Sequence, residues 1–309
     1  PNSFIMKEVD KEKLYNFLSE MEFNRLLSLA ISFYGDLNAK GKESNNLNKE
    51  NLKIDTKKYE SITNEKTLDK WLKILNDQAV ISVDTETSSL NPREAELIGV
   101  SFSYGPNKAC YIPIGHKNIK GIAKEKVLKK IKPILEDPSI KKVGQNMKFD
   151  YMVLKQNGLE INPIEDTMLI SYTLDAGTNR HNLDTLSEIH LNHKTISYKD
   201  LVGAGKKQIK FSEVNIIKAT EYAAEDADVT LRLYNLLKKR LDEQKLNKVY
   251  ETFEKPMIKL LSQLELNGIK VDDLYLKKLS KNFEKKLKKI KKEIFSIAGR
   301  EFNIGSPKQ

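Results

Sequence analysis

Between about Ile62 and Leu241 short apolar runs alternate with amphipathic stretches, and that alternation limits the possible folds more than any other feature of the chain. Residues 79–84 (AVISVD), 97–103 (LIGVSFS) and 108–114 (KACYIPI) are rich in β-branched and aromatic side chains and are bounded by turn residues. They read as strands, with a fourth over 140–144. Helical spacing predicts helices over 67–76, 123–135, 147–157, 182–190 and 218–240. Strands and helices interleaved in this way define an α/β fold.

The flanks differ in style. Residues 9–34 space Leu14, Phe17, Leu18, Met21, Leu26, Leu27 and Ile31 at mostly helical intervals, so 1–35 reads as a helical appendage. Residues 36–61, poor in apolar side chains and rich in Asn and Lys, read as a solvated linker. Beyond Asn247 long helices are expected. Leu260, Leu261 and Leu264 mark one that Asn267-Gly268 should stop, and Leu276, Leu279, Phe283, Leu287, Ile290, Ile294 and Ile297 mark a second, antiparallel to it. The nine lysines from Lys277 to Lys292 read as the wet face of that second helix.

Three acidic clusters fall inside the α/β region: Asp84-Thr85-Glu86-Thr87 at a strand end, Asn146-x-x-x-Asp150, and Tyr222-x-x-x-Asp226 on the long helix. Asp84 and Glu86 are two apart on a strand, so they project to the same side and can share a hard cation. Tyr222, Asp226, Val229, Leu233 and Leu236 step by 4, 3, 4 and 3 residues, which puts Asp226 on the core-facing stripe. An unpaired charge there costs several kcal/mol, and a metal ion is the simplest compensation. Asp150 lies on a similar stripe with Met147, Tyr151 and Leu154, and Asn146 suits the cap of that helix. Glu225 and Asp228 fall off the stripe and read as solvated acids.

Other chemistries fit poorly. His116, His181, His190 and His193 lack metal-ligand spacing, and neither a nucleophile elbow nor a phosphate-cradling glycine loop is present. Cys110 is the single cysteine, so no disulfide framework forms within the chain, which suits a reducing compartment. No apolar run approaches ~18 residues, so a soluble, cytoplasmic protein with no membrane partner is expected. Across 309 residues the formal charge is +10, which favours a polyanionic partner, and nothing requires more than a monomer.

At these residues the chain resembles the 3′–5′ proofreading exonuclease domain of family A DNA polymerases of the bacterial polymerase I type. The matching segments are VDTETSSL (83–90), VGQNMKFD (143–150), NRHNLDTLSEIHLNHKTISY (179–198) and YAAEDADVTLRLY (222–234). The resemblance implies a ribonuclease H-like fold, a mixed sheet flanked by helices, over 62–243, followed by a helical, thumb-like segment. Residues 244–309 would then begin the polymerase domain, with palm and fingers absent, and 1–35 would resemble the tail that follows a 5′ nuclease. On that reading the chain is a fragment that cannot polymerise. The resemblance also implies two divalent ions, Mg²⁺ or Mn²⁺, roughly 3.5–4 Å apart, one held by Asp84, Glu86 and Asp226 and the other by Asp84 and Asp150. Tyr222 and Glu86 would orient the attacking water in this tyrosine-bearing DEDD type of site. DNA would be the partner, as a single-stranded 3′ end or a primer-template, contacted by Thr87, Leu90, Gln145, Asn146, Arg180 and Tyr198. Leu90 would wedge against the terminal base, where a buried loop anchor is its bland alternative, and Tyr198 would stack. The product would be a nucleoside 5′-monophosphate.

Two competing functions remain open on the sequence. One is an RNA-processing 3′–5′ exonuclease of the same catalytic type. The other is a catalytically silent DNA-binding scaffold, against which the retention of all four carboxylates and the tyrosine argues.

Overall fold

The computed structural model describes residues 9–23, 26, 27, 30, 34, 53–205 and 208–306. The chain forms two compact units, Pro1–Lys53 and Ile54–Gln309. In the first, helix α1 (Lys11–Glu20) starts on an Asp10 cap and buries Tyr15 and Leu18. Residues 26, 27, 30 and 34 are also helical, while the rest of the expected 9–34 helix and most of the expected linker lie outside the described residues.

The second unit is built on a six-stranded mixed sheet ordered β1-β4-β3-β2-β5-β6. Its strands are β1 (Glu60–Ser61), β2 (Val80–Thr87), β3 (Leu97–Gly105), β4 (Lys108–Pro113), β5 (Lys141–Gly144) and β6 (Ile164–Asp166). β2 runs antiparallel to β3 and β3 to β4, whereas β1 with β4, β2 with β5 and β5 with β6 are parallel pairs. The helices are α2 (Glu65–Asn76), α3 (Lys124–Glu136), α4 (Met147–Gln156), α5 (Thr167–Asp175), α6 (Leu183–Leu191), α7 (Tyr198–Val202), α8 (Ile216–Glu243), α9 (Lys255–Asn267) and α10 (Asp273–Ala298). A short turn, Asn247–Val249, and a π-helical turn, Tyr250–Glu254, lead into α9.

The pleat of β2 divides the unit. Ile81 and Val83 join Leu68, Trp71, Ile131 and Leu154 in the core beneath α2, α3 and α4. Ser82, Asp84 and Glu86 therefore face the other side, which α8 covers. There Ser82 Oγ donates to the Ala227 carbonyl at 2.6 Å, tying the strand to the helix beside Asp226. A second apolar cluster joins Val143, Ile170, Leu186, Val229, Leu233, Leu237 and Tyr250.

Several expectations need correction. Residues 54–61 are not free linker: Tyr59 is 9% exposed and Glu60–Ser61 pair with β4, a strand too short to show a period. β6, α5 and α7 were not anticipated; α5 (TMLISYTLD) is apolar on most faces, so it shows no stripe to distinguish it. In α9 the buried positions are Ile258 and Ser262, while Leu260 and Leu264 are more than half exposed. Gly268 ends α9 at φ 68°, a left-handed backbone suited to glycine, where Asn267-Gly268 predicts a stop. No residue of α10 is buried, and Leu276, Phe283, Leu287 and Ile297 of its apolar side are exposed.

Candidate metal centre and nucleic-acid cleft

Asp84 and Glu86 from the end of β2 meet Asp226 from α8, with one carboxylate oxygen of each within 4.8 Å of the others. Glu86 is buried and the other two are half-buried. Burial pushes all three carboxyls well above the usual range, and mutual repulsion adds to it: Asp226 acts on Asp84, and Asp84, Asp226 and Asp150 act on Glu86. For Asp226 burial is the largest cause, followed by Glu225 and Asp184, while a hydrogen bond from the Tyr222 side chain eases the charge. Three carboxylates cannot stay ionised so close together without a multiply charged cation. Their all-oxygen donor set suits a hard divalent ion. A buried hydroxyl adds to the fit: Ser101 Oγ, in register with Asp84 on the neighbouring strand, has no hydrogen-bond partner.

Asp150 arrives from the opposite side of the sheet, on the first turn of α4, and is 2% exposed. One of its oxygens, Oδ1, accepts from Thr85 N at 3.0 Å and Thr85 Oγ1 at 2.6 Å. Burial and the charge of Asp84 raise its carboxyl well above the usual range despite these bonds. Asp150 thus stands beside the three-acid cluster rather than in it.

The start of α4 corrects another expectation. Asn146 has φ 61°, a left-handed backbone, and makes no side-chain cap. Asp166 takes that role, accepting Asn146 N at 3.1 Å and Met147 N at 2.9 Å. Glu225 and Asp228 are likewise not solvated. Glu225 is 1% exposed and accepts from Ile196 N at 2.7 Å, with His193 Nε2 at 2.9 Å. Asp228, fully buried, accepts from Arg232, from Tyr59 OH at 2.9 Å and from Asn107 N at 3.0 Å. α8 is enclosed by the sheet and by α5, α6 and α7, so positions off its main stripe are buried too.

A cleft of about 510 Å³ reaches the cluster at Glu86 and is lined also by Thr87, Leu90, Phe149, Tyr198 and Tyr222. Leu90 is 94% exposed at its lip, which removes the buried-anchor alternative. Tyr198 is half exposed and stacks on Phe211 at 6.4 Å with the rings nearly parallel, while Tyr222 meets both rings at 6.1 Å. Burial, followed by the charge of Asp226, pushes the Tyr222 hydroxyl far up, so it remains a proton donor. The structure therefore gathers Thr87, Leu90 and Tyr198 at one opening. Arg180 lines a separate groove of about 690 Å³ with Met168, Leu169, Tyr172 and His181. Asn146 is exposed, but Gln145 is committed: its amide donates to the His181 carbonyl at 2.7 Å and accepts from Thr167 Oγ1. Thr85, Phe149 and Phe211 were missed by the sequence reading. Thr85 stood visibly between two candidate acids, whereas nothing local marks Phe211.

A mixed sheet with acids on a central strand and on the helix that crosses it defines a nuclease of ribonuclease H-like fold. The chain belongs to the 3′–5′ exonuclease family, whose sequence profile matches residues 59–242. It is 43% identical over 278 residues to DNA polymerase I of Rhizobium leguminosarum, covering 84% of this chain and 27% of that protein. Against DNA polymerase I of Pseudomonas aeruginosa the identity is 36% over 310 residues, covering 98% of this chain and 33% of that protein. The chain thus spans about a third of the length of these relatives. The POL domain of Pol1 from M. smegmatis, solved in complex with DNA primer-template and dNTP, shares the fold with a TM-score of 0.63 at 19% identity, over 81% of this chain and 39% of that one. Among the described residues no helix is long and apolar enough to cross a membrane.

Proposed function

We propose that this chain removes nucleotides one at a time from the 3′ end of DNA, as the editing portion of a family A DNA polymerase. The observation that carries the reading is the convergence of Asp84, Glu86 and Asp226 within 4.8 Å, with Glu86 lining an open cleft. Asp84, Glu86 and Asp226 would hold one divalent ion, and Asp84 with Asp150 a second, Mg²⁺ or Mn²⁺. When bound, such ions supply an activated water at neutral pH and neutralise the charge that develops on the leaving 3′ oxygen.

The chain's own groups do the rest. Thr85 holds Asp150 by its Oδ1, which fixes the other carboxylate oxygen in place. Tyr222, held protonated beside Asp226, donates a hydrogen bond at the floor of the cleft and orients the attacking water together with Glu86. Leu90 abuts the terminal base, and Tyr198 on its Phe211 support stacks against a base face, a contact indifferent to sequence. Asn146 and Arg180 contact the phosphates and sugars upstream, with Gln145 holding the backbone between them.

DNA rather than RNA is favoured by the relatives, whose likeness runs through the helices beyond residue 246. Residues 244–309 are then the start of a polymerase domain, and the protein acts as a monomer. A 5′-labelled single-stranded DNA, incubated with Mg²⁺ or Mn²⁺ and then with EDTA, should shorten from its 3′ end only with the metal. The same assay on RNA separates the two substrates, and no cleavage by well-folded protein overturns the reading in favour of a silent scaffold.

A further inference from the structure

Asp166, at the end of β6, is 1% exposed and serves two helices at once. Its Oδ2 accepts from Met147 N at 2.9 Å, and its Oδ1 from Asn146 N at 3.1 Å, both at the start of α4. The same Oδ1 accepts from Met168 N at 2.8 Å and Leu169 N at 3.4 Å at the start of α5. Helix N-termini expose amides that need acceptors, and Asn146, left-handed and without a cap bond of its own, cannot supply one. α4 carries Asp150 and α5 carries Met168 and Tyr172, so one carboxylate sets the entry of the helix that delivers an acid and of the helix beside the Arg180 groove.

Asp166 is itself held from outside the matched exonuclease region. Its backbone N–H donates to Tyr250 OH at 3.0 Å, and Tyr250 is fully buried against Val143, Ile170 and Val229. Tyr250 opens the π-helical turn before α9, beyond the matched residues 59–242. Such turns are uncommon and frequently sit at functional positions. The neighbouring Glu165 is 2% exposed and pairs with Lys255 at 2.9 Å, so adjacent residues of β6 are both fastened to the segment after α8.

We infer that Asp166 and Tyr250 are positioning residues for the exonuclease site: Tyr250 OH fixes Asp166, Asp166 fixes the first turn of α4, and that turn fixes Asp150 against Thr85. The inference rests on the proposed exonuclease reading. It makes the helical segment after Glu243 part of the nuclease machinery, so that a displacement of the segment would be felt at the acids.

The test uses the full chain with Tyr250→Phe, which keeps the ring that fills the core, and Asp166→Asn as a second variant. Hydrogen exchange of residues 145–150 is read against residues 236–241 of α8, together with Mn²⁺ binding by calorimetry and kcat and KM on single-stranded DNA. Tyr250→Phe should speed exchange at 145–150 but not at 236–241, weaken Mn²⁺ roughly fivefold, and lower kcat by a similar factor with KM unchanged, as loss of one buried hydrogen bond allows. A lowered melting temperature with exchange at 145–150, Mn²⁺ affinity and kcat all unchanged would reduce Tyr250 to core packing and overturn the inference. Failure of the wild type to cut DNA would overturn the exonuclease reading, while exchange and Mn²⁺ binding would still decide the relay.

Discussion

Thr85 donates both its backbone N–H, at 3.0 Å, and its hydroxyl, at 2.6 Å, to the same oxygen of Asp150. The residue between Asp84 and Glu86 thus reaches through the sheet to hold an acid delivered by α4, so β2 organises acids on both of its faces. Thr85→Val keeps shape and backbone bond but removes the hydroxyl. It should lower kcat roughly tenfold, since a hydrogen bond to a charged group contributes about 1.5–3 kcal/mol, part of which the N–H retains. Thr85→Ser, which keeps the hydroxyl, should retain most of the rate; a loss in Thr85→Ser with Thr85→Val unaffected would mean that the methyl group, not the hydroxyl, matters.

Asp226→Ala removes the member of the three-acid cluster that α8 supplies. The rate should fall on the order of a thousandfold, matching loss of several kcal/mol of charge stabilisation. Removing repulsion should also raise the melting temperature in EDTA, a gain in stability at the expense of function. Tyr222→Phe should cost on the order of tenfold in kcat with Mn²⁺ affinity retained, and loss of both would show that the hydroxyl serves the ligand set itself.

Much of this site was legible because its logic is local. Asp84 and Glu86 share a strand face by the period of two, and Asp226 lies on the helical stripe that packs inward, so convergence could be anticipated without coordinates. Asp228 and Glu225 were misread because a stripe argument assumes one buried face, whereas α8 is enclosed on several. The cap at α4 was misassigned to Asn146 because its true acceptor, Asp166, comes from another strand. β1 and β6 span two and three residues, too few to reveal any alternation.

Protons and divalent cations should compete for the acids. Burial and repulsion raise the carboxyls of Asp84, Glu86, Asp150 and Asp226 well above 3.8 to 4.5, and burial raises Asp166 to about 6. A carboxyl raised in the folded state contributes stability that is present below its unfolded value and is lost as pH rises through the folded one. In EDTA the melting temperature should therefore fall between about pH 4 and pH 6, the range set by Asp166, with the four site acids adding to the fall. Mn²⁺ binds the ionised acids, so its stabilisation should be larger at the upper end, about 2.7 kcal/mol at a hundredfold excess over Kd. A Mn²⁺ shift equal at both pH values would exclude the carboxylate cluster as the binding site.

The Asp228–Arg232 pair should matter to stability and not to chemistry. Arg232 Nε lies 2.9 Å from Asp228, with the side chains 6% and 0% exposed, and Tyr59 OH and Asn107 N complete the set of donors to the carboxylate. Asp228→Ala removes the carboxylate that pairs with a buried guanidinium and accepts from a buried phenol, at a cost of about 3–5 kcal/mol in chemical denaturation. Per folded molecule, the rate should be unchanged. A drop in kcat of folded protein would mean that the pair aligns Asp226 on the same helix.

Leu90 offers the clearest separation of substrate contact from fold. A leucine 94% exposed has almost no packing to lose, so Leu90→Ala should shift stability by less than about 0.5 kcal/mol. If the side chain abuts the terminal base, its apolar surface is buried only in the complex, and truncation should remove roughly 1–2 kcal/mol of that contact. The loss should appear as a roughly five- to thirtyfold fall in kcat/KM on single-stranded DNA, with Mn²⁺ affinity untouched. A dinucleotide presents the same terminal base, so its cleavage should fall by a similar factor while the acids stay in place. A variant that cuts the longer strand at the wild-type rate would place the terminal base elsewhere in the cleft, against Tyr198 and Phe211 alone.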